Sequence, residues 1–238
     1  MKKQIKWTLA AIAAASVSFA SFAQEETANN GESVGYTALA LGLATPVQLP
    51  WGFNWDVFGL DFNVFYADAN KAYGADLAFG ATQTRGDVRG LDLAGLFNLN
   101  RADVYGAKIA LLNWTEGNTY GLGVDVVGIS TDFDGIALDV LGGWTKRNFN
   151  GLAVSGLGNF AGKDLWGWQA ALGANYADTV HGVQASLVFN MTHSLKGAQI
   201  GLVNFAQECP GGFQIGLVNF IMDNVVPVFP ILNFYLGF

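Results

Sequence analysis

The sequence is short of charge, cysteine and proline. Charged residues make up 13% of the 238-residue chain, about half of the ~25% usual in soluble domains. A single cysteine, Cys209, excludes an intramolecular disulfide, and five prolines exclude a proline-rich linker or a collagen. Basic residues form no cluster beyond residue 6, and the formal net charge is −7. Because such a chain repels a phosphate backbone, nucleic acid is excluded as a partner.

Glycine and apolar residues are plentiful instead. The chain has 31 glycines and 51% hydrophobic residues, whereas glycine averages only about 7% in proteins. One domain is expected at this length. The composition therefore predicts a folded domain with a large buried or lipid-facing surface.

The first 23 residues have the composition of an export signal. Lysines open the chain, an apolar run covers residues 7–20, and Ser21-Phe22-Ala23 is a small-x-small cleavage site. Residues 1–23 are therefore predicted to be a secretory signal peptide, because the run is shorter than the ~20 residues of a membrane-spanning helix. We expect residues 24–34 to be a disordered mature N-terminus and residues 35–238 to form a single β-repeat domain.

Glycine recurs every 14 to 16 residues along the mature chain. The clearest copies of the repeat are Gly197-Ala-Gln-Ile-Gly-Leu-Val-Asn204 and Gly212-Phe-Gln-Ile-Gly-Leu-Val-Asn219. A fixed internal period is the signature of a repeat architecture. The repeat glycines are Gly59, Gly74, Gly90, Gly106, Gly121, Gly135, Gly151, Gly167, Gly182, Gly197 and Gly212.

Within each copy, apolar residues alternate with small or polar ones. After Gly121, for example, Leu122, Val124 and Val126 are apolar, whereas the residues between them are glycine and aspartate. A period of two predicts β-strands with one apolar face and one polar face. Polar stretches with the composition of turns separate the strands, at roughly ten residues of strand and five of turn per copy.

Three architectures are compatible with this pattern: a β-solenoid, a β-sandwich and a closed barrel. A sandwich needs two sheets of different sequence, whereas the copies are alike. A solenoid needs a second wall with apolar side chains of its own, which the polar half of each copy lacks, and it stacks Asp125 on Asp139, where like charges repel. One series of glutamines would stack well in a solenoid and favours it: Gln169, Gln184, Gln199 and Gln214.

The sequence predicts an all-β fold, an antiparallel meander closed into a transmembrane-type β-barrel of about 12–14 strands, with a β-solenoid of ~15-residue repeats as the alternative. In the barrel Lys108 faces Asp125, and in the solenoid it stacks on Gly123. The reliably apolar positions run only from one to five residues after each repeat glycine. This band is narrow for the ~25 Å apolar belt of a membrane barrel, although aromatic residues at its margins can widen it.

The last residues add a separate indication. Phe234, Leu236 and Phe238 occupy alternate positions at the end of the chain. They resemble the terminal strand by which bacterial outer-membrane barrels are recognised for insertion. This resemblance implies an assembly signal that the barrel-assembly machinery recognises, with outer-membrane lipid as the surrounding medium.

The repeats, an opening segment at Ala44-Thr-Pro-Val-Gln-Leu-Pro50 and a closing segment at Pro227-Val-Phe-Pro-Ile-Leu-Asn-Phe234 resemble a known family. It is a family of exported bacterial surface-repeat proteins built from tandem Gly-Leu-Gln-Ile-Gly-Leu-Val-Asn units. The resemblance implies export and a location in the Gram-negative cell envelope, and it brings no catalytic motif. Copies such as residues 91–98 and 152–159 carry one extra residue before the asparagine, which we interpret as a β-bulge.

Patterns of catalytic or metal-binding residues are not found. His181 and His193 have no metal-ligand spacing, and nothing singles out a serine and a carboxylate to complete a triad. We therefore predict that the protein is not an enzyme and uses no metal or cofactor. Charge on the inner face is the candidate site, because acidic rings that line a pore favour cations. Its members are Asp61, Asp76, Asp92, Lys108, Asp125 and Asp139.

Two functional hypotheses follow from the sequence. The first is a porin-like outer-membrane β-barrel surface protein, either structural or a passive channel through which small solutes or ions pass, that reaches the outer membrane through the periplasm. The alternative is an exported, non-membrane β-repeat protein that binds a partner through its regular surface. The sequence names no protein partner for either hypothesis.

Overall fold

The structure is a computed structural model that describes residues 35–235. Within this range every regular element is a β-strand, and no segment forms a helix long and apolar enough to cross a membrane. The predicted signal peptide, the predicted disordered segment 24–34, and Leu236 and Phe238 of the predicted assembly signal lie outside the described residues.

Nineteen strands follow one another along the described chain. They are β1 (Gly35–Ala44), β2 (Val47–Leu49), β3 (Trp55–Ala69), β4 (Lys71–Ala78), β5 (Ala81–Thr84), β6 (Val88–Ala94), β7 (Phe97–Asn100), β8 (Val104–Ile109), β9 (Leu112–Thr115), β10 (Thr119–Ser130), β11 (Phe133–Thr145), β12 (Phe149–Ser155), β13 (Gly158–Ala171), β14 (Ala174–Ser186), β15 (Phe189–Leu195), β16 (Ala198–Ile200), β17 (Val203–Glu208), β18 (Phe213–Ile221) and β19 (Val228–Phe234).

Successive copies of the repeat stack on one another in parallel. Gly74 of β4 pairs with Gly90 of β6, which in turn pairs with Gly106 of β8. The second strand of each copy stacks in the same way, with β5 on β7 and β7 on β9. The chain therefore winds as a β-solenoid of about 11 turns. The alternative prediction is confirmed, and the predicted antiparallel meander of about 12–14 strands is wrong.

The strand register decides between the two arrangements at specific contacts. Asp125 pairs with Asp139, and Lys108 pairs with Gly123. The barrel was favoured because the second wall of a solenoid has few apolar side chains to bury and because two aspartates repel each other. The second wall instead buries asparagine, threonine and alanine. The aspartates lie in a buried interior, where a carboxyl group keeps its proton to higher pH.

Each turn consists of two walls that face each other across a narrow interior. The glycine wall contains the repeat glycines and includes β6, β8 and β12, while the asparagine wall includes β7, β9 and β17. In both walls small and polar side chains point inward and apolar ones outward. In β12, for example, Leu152 and Val154 are exposed whereas Ala153 and Ser155 are buried.

One interior column is apolar throughout most of the solenoid. It lies two residues before the repeat glycines, where the rings of Phe133 and Phe149 stack with centroids 5.2 Å apart. Burial of this column supplies the hydrophobic stabilisation that the polar columns lack. Its buried members are Val57, Ala72, Val88, Val104, Phe133, Phe149, Leu165, Val180 and Leu195.

Differences of one residue between copies are accommodated at the sharp turn between the walls. Leu93 pairs with Ile109 and Phe97 pairs with Leu112, so three residues (94–96) lie between the paired positions of one copy and two (110–111) between those of the next. The extra residue therefore lies within 94–96, at the end of β6 and the corner that follows it. The predicted β-bulge is therefore an insertion at the corner, and the pairing within both walls is preserved.

Antiparallel strands occur at both ends of the stack. β1 pairs with β2 in the antiparallel sense and with β3 in parallel, and β19 pairs antiparallel with β18. Phe234, the described member of the predicted assembly signal, is exposed at the end of β19 and pairs with Phe213. A change of strand direction ends the regular stack, which protects a solenoid against end-to-end association.

The repeat glycines form a column in which a side chain has no room. Gly151 has a φ of 126°, a region that L-residues disfavour. A Cβ atom on Gly151 would also collide with the carbonyl oxygen of Gly135 in the turn below. Close parallel stacking at this position therefore requires glycine.

We expect Gly151→Ala to lower the free energy of unfolding by at least about 2 kcal/mol, because backbone strain and steric collision act together. Gly211→Ala is the matched control, since a Cβ there would meet no atom within 4 Å, and it should change stability by less than about 0.5 kcal/mol. Urea unfolding followed by circular dichroism measures both values. Equal effects of the two substitutions would contradict the stacked glycine column.

Candidate functional site

Four of the predicted inner-face residues form one continuous column inside the solenoid. Asp61, Asp76 and Asp92 pair in register on the glycine wall, and Lys108 follows Asp92 in the next turn. All four residues are at most 1% exposed. The structure thus brings these residues together on the inner face, but in a packed interior.

The other two predicted residues, Asp125 and Asp139, stack in a neighbouring column of the same wall. Their carboxylates occupy space that an asparagine fills in other copies. Gly128 and Gly143 stand at the asparagine position in these two turns, and a Cβ on Gly128 would lie only 2.9 Å from Asp125 Oδ2. Glycine at one position therefore makes room for aspartate at the other.

The asparagines form a hydrogen-bonded column on the asparagine wall. Nδ2 of Asn175 donates to Oδ1 of Asn190 at 3.0 Å, and Nδ2 of Asn190 donates to Oδ1 of Asn204 at 2.9 Å. Each amide also donates across the interior, as Asn190 does to the Ile200 carbonyl at 2.8 Å. The asparagine therefore joins neighbouring turns and closes the sharp corner between the walls. This role is not among the sequence predictions, although asparagine ends the repeat unit.

The glutamine series forms a second amide column, on the glycine wall. Nε2 of Gln199 donates to Oε1 of Gln184 at 2.8 Å, and Nε2 of Gln214 donates to Oε1 of Gln199 at 2.8 Å. These amides donate toward the N-terminal end of the stack, whereas the asparagine amides donate toward its C-terminal end. The amide dipoles of the two columns therefore point in opposite directions. The buried amides of both columns have hydrogen-bond partners in neighbouring turns.

Burial changes the protonation of the acidic column. Loss of hydration raises the pKa of Asp61 to about 7 and that of Asp92 to about 6. The pKa of Asp76 is raised well above its usual range by burial and then by the carboxylates of Asp92 and Asp61. Stacked carboxyl groups thus retain protons near neutral pH, which reduces their mutual repulsion.

Lys108 is the single base of the inner-face cluster. Burial lowers the pKa of Lys108 to about 8, while the nearby carboxylates of Asp125 and Asp92 oppose this shift. Its Nζ donates to Thr115 Oγ1 at 3.0 Å and lies 5.8 Å from the Phe133 ring centroid. Lys108 therefore offsets the acidic charge between the two aspartate columns.

Asp125 and Asp139 behave as a pair. Burial raises the pKa of both, and the neighbouring Asp125 carboxyl group raises the pKa of Asp139 further. Oδ1 of Asp125 and Oδ2 of Asp139 are buried and have no hydrogen-bond partner. Two ionised carboxylates repel each other, so a proton retained by the pair reduces the cost of this contact.

The interior has the character of a polar core rather than of a channel. Asn63 donates to Asp61 at 2.7 Å, and Asn100 donates to Asp92 at 2.9 Å. Side chains from both walls thus fill the space that an ion path would need. A small cavity remains beside Lys108, where Ala137 and Ala153 replace larger residues.

Both histidines contact a side chain of a neighbouring turn. The ring of His181 stacks on Trp166 at 3.9 Å, and His193 Nδ1 lies 2.9 Å from Gln207 Oε1. Cys209 is buried as a free thiol. Among residues 35–235 no group of three or more His, Cys, Asp or Glu residues could hold a metal ion.

The outer surface is divided into an apolar and a charged part. The apolar edge is the sharp corner between the walls, and its stacked leucines are exposed: Leu96, Leu111, Leu141, Leu157, Leu172, Leu187, Leu202 and Leu217. The charged edge is the opposite corner. Outside the inner-face cluster, the charged residues of the described chain lie on or next to it, with Asp56 and Asp68 buried there: Asp56, Asp68, Lys71, Arg85, Asp87, Arg89, Arg101, Asp103, Glu116, Asp132, Asp134, Lys146, Arg147, Lys163, Asp164, Asp178, Lys196, Glu208 and Asp223.

The chain matches no protein-family model, no curated protein and no solved structure. The resemblance to exported surface-repeat proteins therefore stays a prediction, and functional inference rests on the two polar columns and the divided outer surface.

We expect the protein to be less stable at about pH 8 than at about pH 5, by on the order of 1–3 kcal/mol. The raised carboxyl pKa values make the folded state bind more protons than the unfolded state from the ordinary aspartate value of 3.8 up to about 7. The free energy of unfolding therefore falls as pH rises through this window. The lowered pKa of Lys108 has the opposite effect, but only above about pH 8.

Asp76→Asn should reduce this pH dependence, because it removes one buried titrating carboxyl group. Asp134→Asn is the matched control, since Asp134 is a part-exposed residue beside the charged edge. Urea unfolding of the three proteins at both pH values measures the difference. A wild-type stability that is flat or rises between the two values would show that the column is ionised throughout.

Proposed function

We propose that the chain is an exported, non-catalytic β-solenoid of the cell envelope that binds a partner through its regular apolar outer surface. The observation that carries this proposal is the stack of exposed leucines at the apolar edge, such as Leu157 and Leu187, which are 64% and 63% exposed. Soluble monomers rarely expose a large contiguous apolar surface unless it binds something. The interior offers no open site to support a competing role, because side chains from both walls pack into it and the acidic column is buried.

The packed interior argues against a passive channel. Acidic residues favour cations only when they line an open path, whereas Asp76 and Asp92 have 0% exposure and their neighbours hold hydrogen bonds across the space between the walls. We assign the acidic column a structural role. Its buried carboxyl groups hold protons, and this reduces the repulsion between aspartates of stacked turns.

Fractionation of an exporting Gram-negative host tests the proposal. The wild-type protein should sediment with the envelope and stay there in high salt, because apolar contacts are not screened. The double variant Leu157→Glu/Leu187→Glu should move to the soluble periplasmic fraction, since it places two charges on the apolar edge.

Two matched variants distinguish an effect of the apolar surface from an effect of the charged edge or of the interior. Lys146→Glu/Lys163→Glu introduces the same two residues at the charged edge and should leave the protein with the envelope, as should the interior substitution Asp92→Asn. Soluble wild-type protein, or release by all variants alike, would contradict binding through the apolar surface. Circular dichroism of each variant checks that the β-fold is retained.

A further inference from the structure

We infer that the partner is a lipid bilayer and that the apolar edge inserts into a single leaflet, with the charged edge in water. This inference rests on the proposed function and specifies its partner. It is carried by the depth of the apolar surface, by its extension over both walls, and by the aromatic residues at its boundary.

The depth of the apolar surface matches one leaflet. On the glycine wall, outward apolar residues extend from the position after the repeat glycine to the apolar edge, as from Leu152 through Val154 to Leu157. Four to five residue steps along a strand span about 13–17 Å. The hydrocarbon core of a bilayer is about 30 Å thick, so one leaflet provides about 15 Å. A band too short for a membrane-spanning barrel is therefore the right depth for half a bilayer.

The apolar surface continues around the edge onto the other wall. Beyond the leucines, the asparagine wall exposes Phe97, Trp114 and Trp144. A two-fold contact that packs one wall against the same wall of a second copy leaves the other wall in water. Lipid chains cover both walls and the edge at once, so the three contiguous surfaces favour lipid over a second protein.

Aromatic side chains lie at the boundary with the charged edge on both walls. On the glycine wall the rings of Tyr105 and Tyr120 stack at 4.8 Å, each in the position just before a repeat glycine. On the asparagine wall the rings of Trp144 and Phe160 stack at 4.1 Å, and Lys146 of the charged edge follows two residues after Trp144. Tyrosine and tryptophan favour the headgroup region. An inserted wedge requires aromatic side chains at this boundary on both walls, and these ring pairs supply them.

The charged edge carries both acidic and basic residues. This composition determines which lipid headgroups the protein needs for binding. Arg85 forms a bidentate ion pair with Asp68 at 2.7 and 2.8 Å, and Arg147 pairs with Asp132. Acidic residues outnumber basic ones on the charged edge of residues 35–235, so this edge does not favour anionic headgroups, which are the usual electrostatic target of surface binding. Insertion should therefore depend on apolar contact and should occur with zwitterionic lipid.

Flotation with phosphatidylcholine vesicles tests this inference on purified protein from the exporting host. The wild-type protein should float with the vesicles at low and high salt. Leu157→Glu/Leu187→Glu should reduce the lipid-bound to free ratio at least about tenfold, because charged side chains partition poorly into hydrocarbon. The control Lys146→Glu/Lys163→Glu should bind within about twofold of wild type.

A fluorescent label reports which edge is inserted. In a Cys209→Ser background, a nitrobenzoxadiazole label at Leu157→Cys should shift to the blue on vesicle addition and be quenched by brominated lipid chains. The same label at Lys146→Cys should show neither effect. Labels that respond alike at both edges would overturn insertion through the apolar edge.

The outcomes separate this inference from the proposed function. If the wild-type protein sediments with the envelope but does not float with lipid vesicles, lipid is not the partner and the proposed function stands. If it is a dimer in vesicle-free buffer that Leu157→Glu/Leu187→Glu converts to a monomer, and it does not float, a second copy covers the apolar surface. If the apolar-edge variant binds both envelope and vesicles like wild type, both proposals fail.

Discussion

In-register parallel stacking is the constraint on which the rest of the structure depends. Each interior position meets the equivalent position of the next turn, so a residue type that can bond to itself is favoured there. Asparagine and glutamine meet this condition because an amide both donates and accepts, as the bond of 2.8 Å between Gln199 and Gln184 shows. The glycine column follows from the same constraint, because Gly135 and Gly151 approach too closely for a side chain.

The same stacking explains why polar side chains lie inside the molecule and most apolar side chains lie outside. Apart from one apolar column, two walls held a short distance apart admit mainly small and polar side chains, while most of the larger leucines, tryptophans and phenylalanines point outward. The fold is stabilised inside by hydrogen bonds and one apolar column, and it leaves most of its apolar surface to be covered from outside. A polar core and an exposed apolar outer surface are therefore two consequences of one arrangement.

Charged residues occur in two places, the interior cluster and one edge of the molecule. The aspartates of the interior are tolerated because burial raises their pKa values, as for Asp61 at about 7, and because Lys108 lies between the two acidic groups. All other charges of residues 35–235 lie at one edge. The charged residues outside the interior cluster are thus separated from the apolar edge by the width of the walls, which is the condition for one part of the molecule to contact lipid while the other stays hydrated.

The sequence by itself determined the repeat length, the strands and the inward position of Asp61, Asp76, Asp92, Lys108, Asp125 and Asp139, because a period of two and a recurring glycine are local properties. It did not determine strand direction, since a parallel stack and an antiparallel meander have the same alternation of faces. Only the tertiary structure placed Asp125 beside Asp139 and Lys108 beside Gly123. The stacking contacts join residues about fifteen positions apart. The energy of an aspartate pair depends on whether burial protonates it, and that is a property of the folded interior.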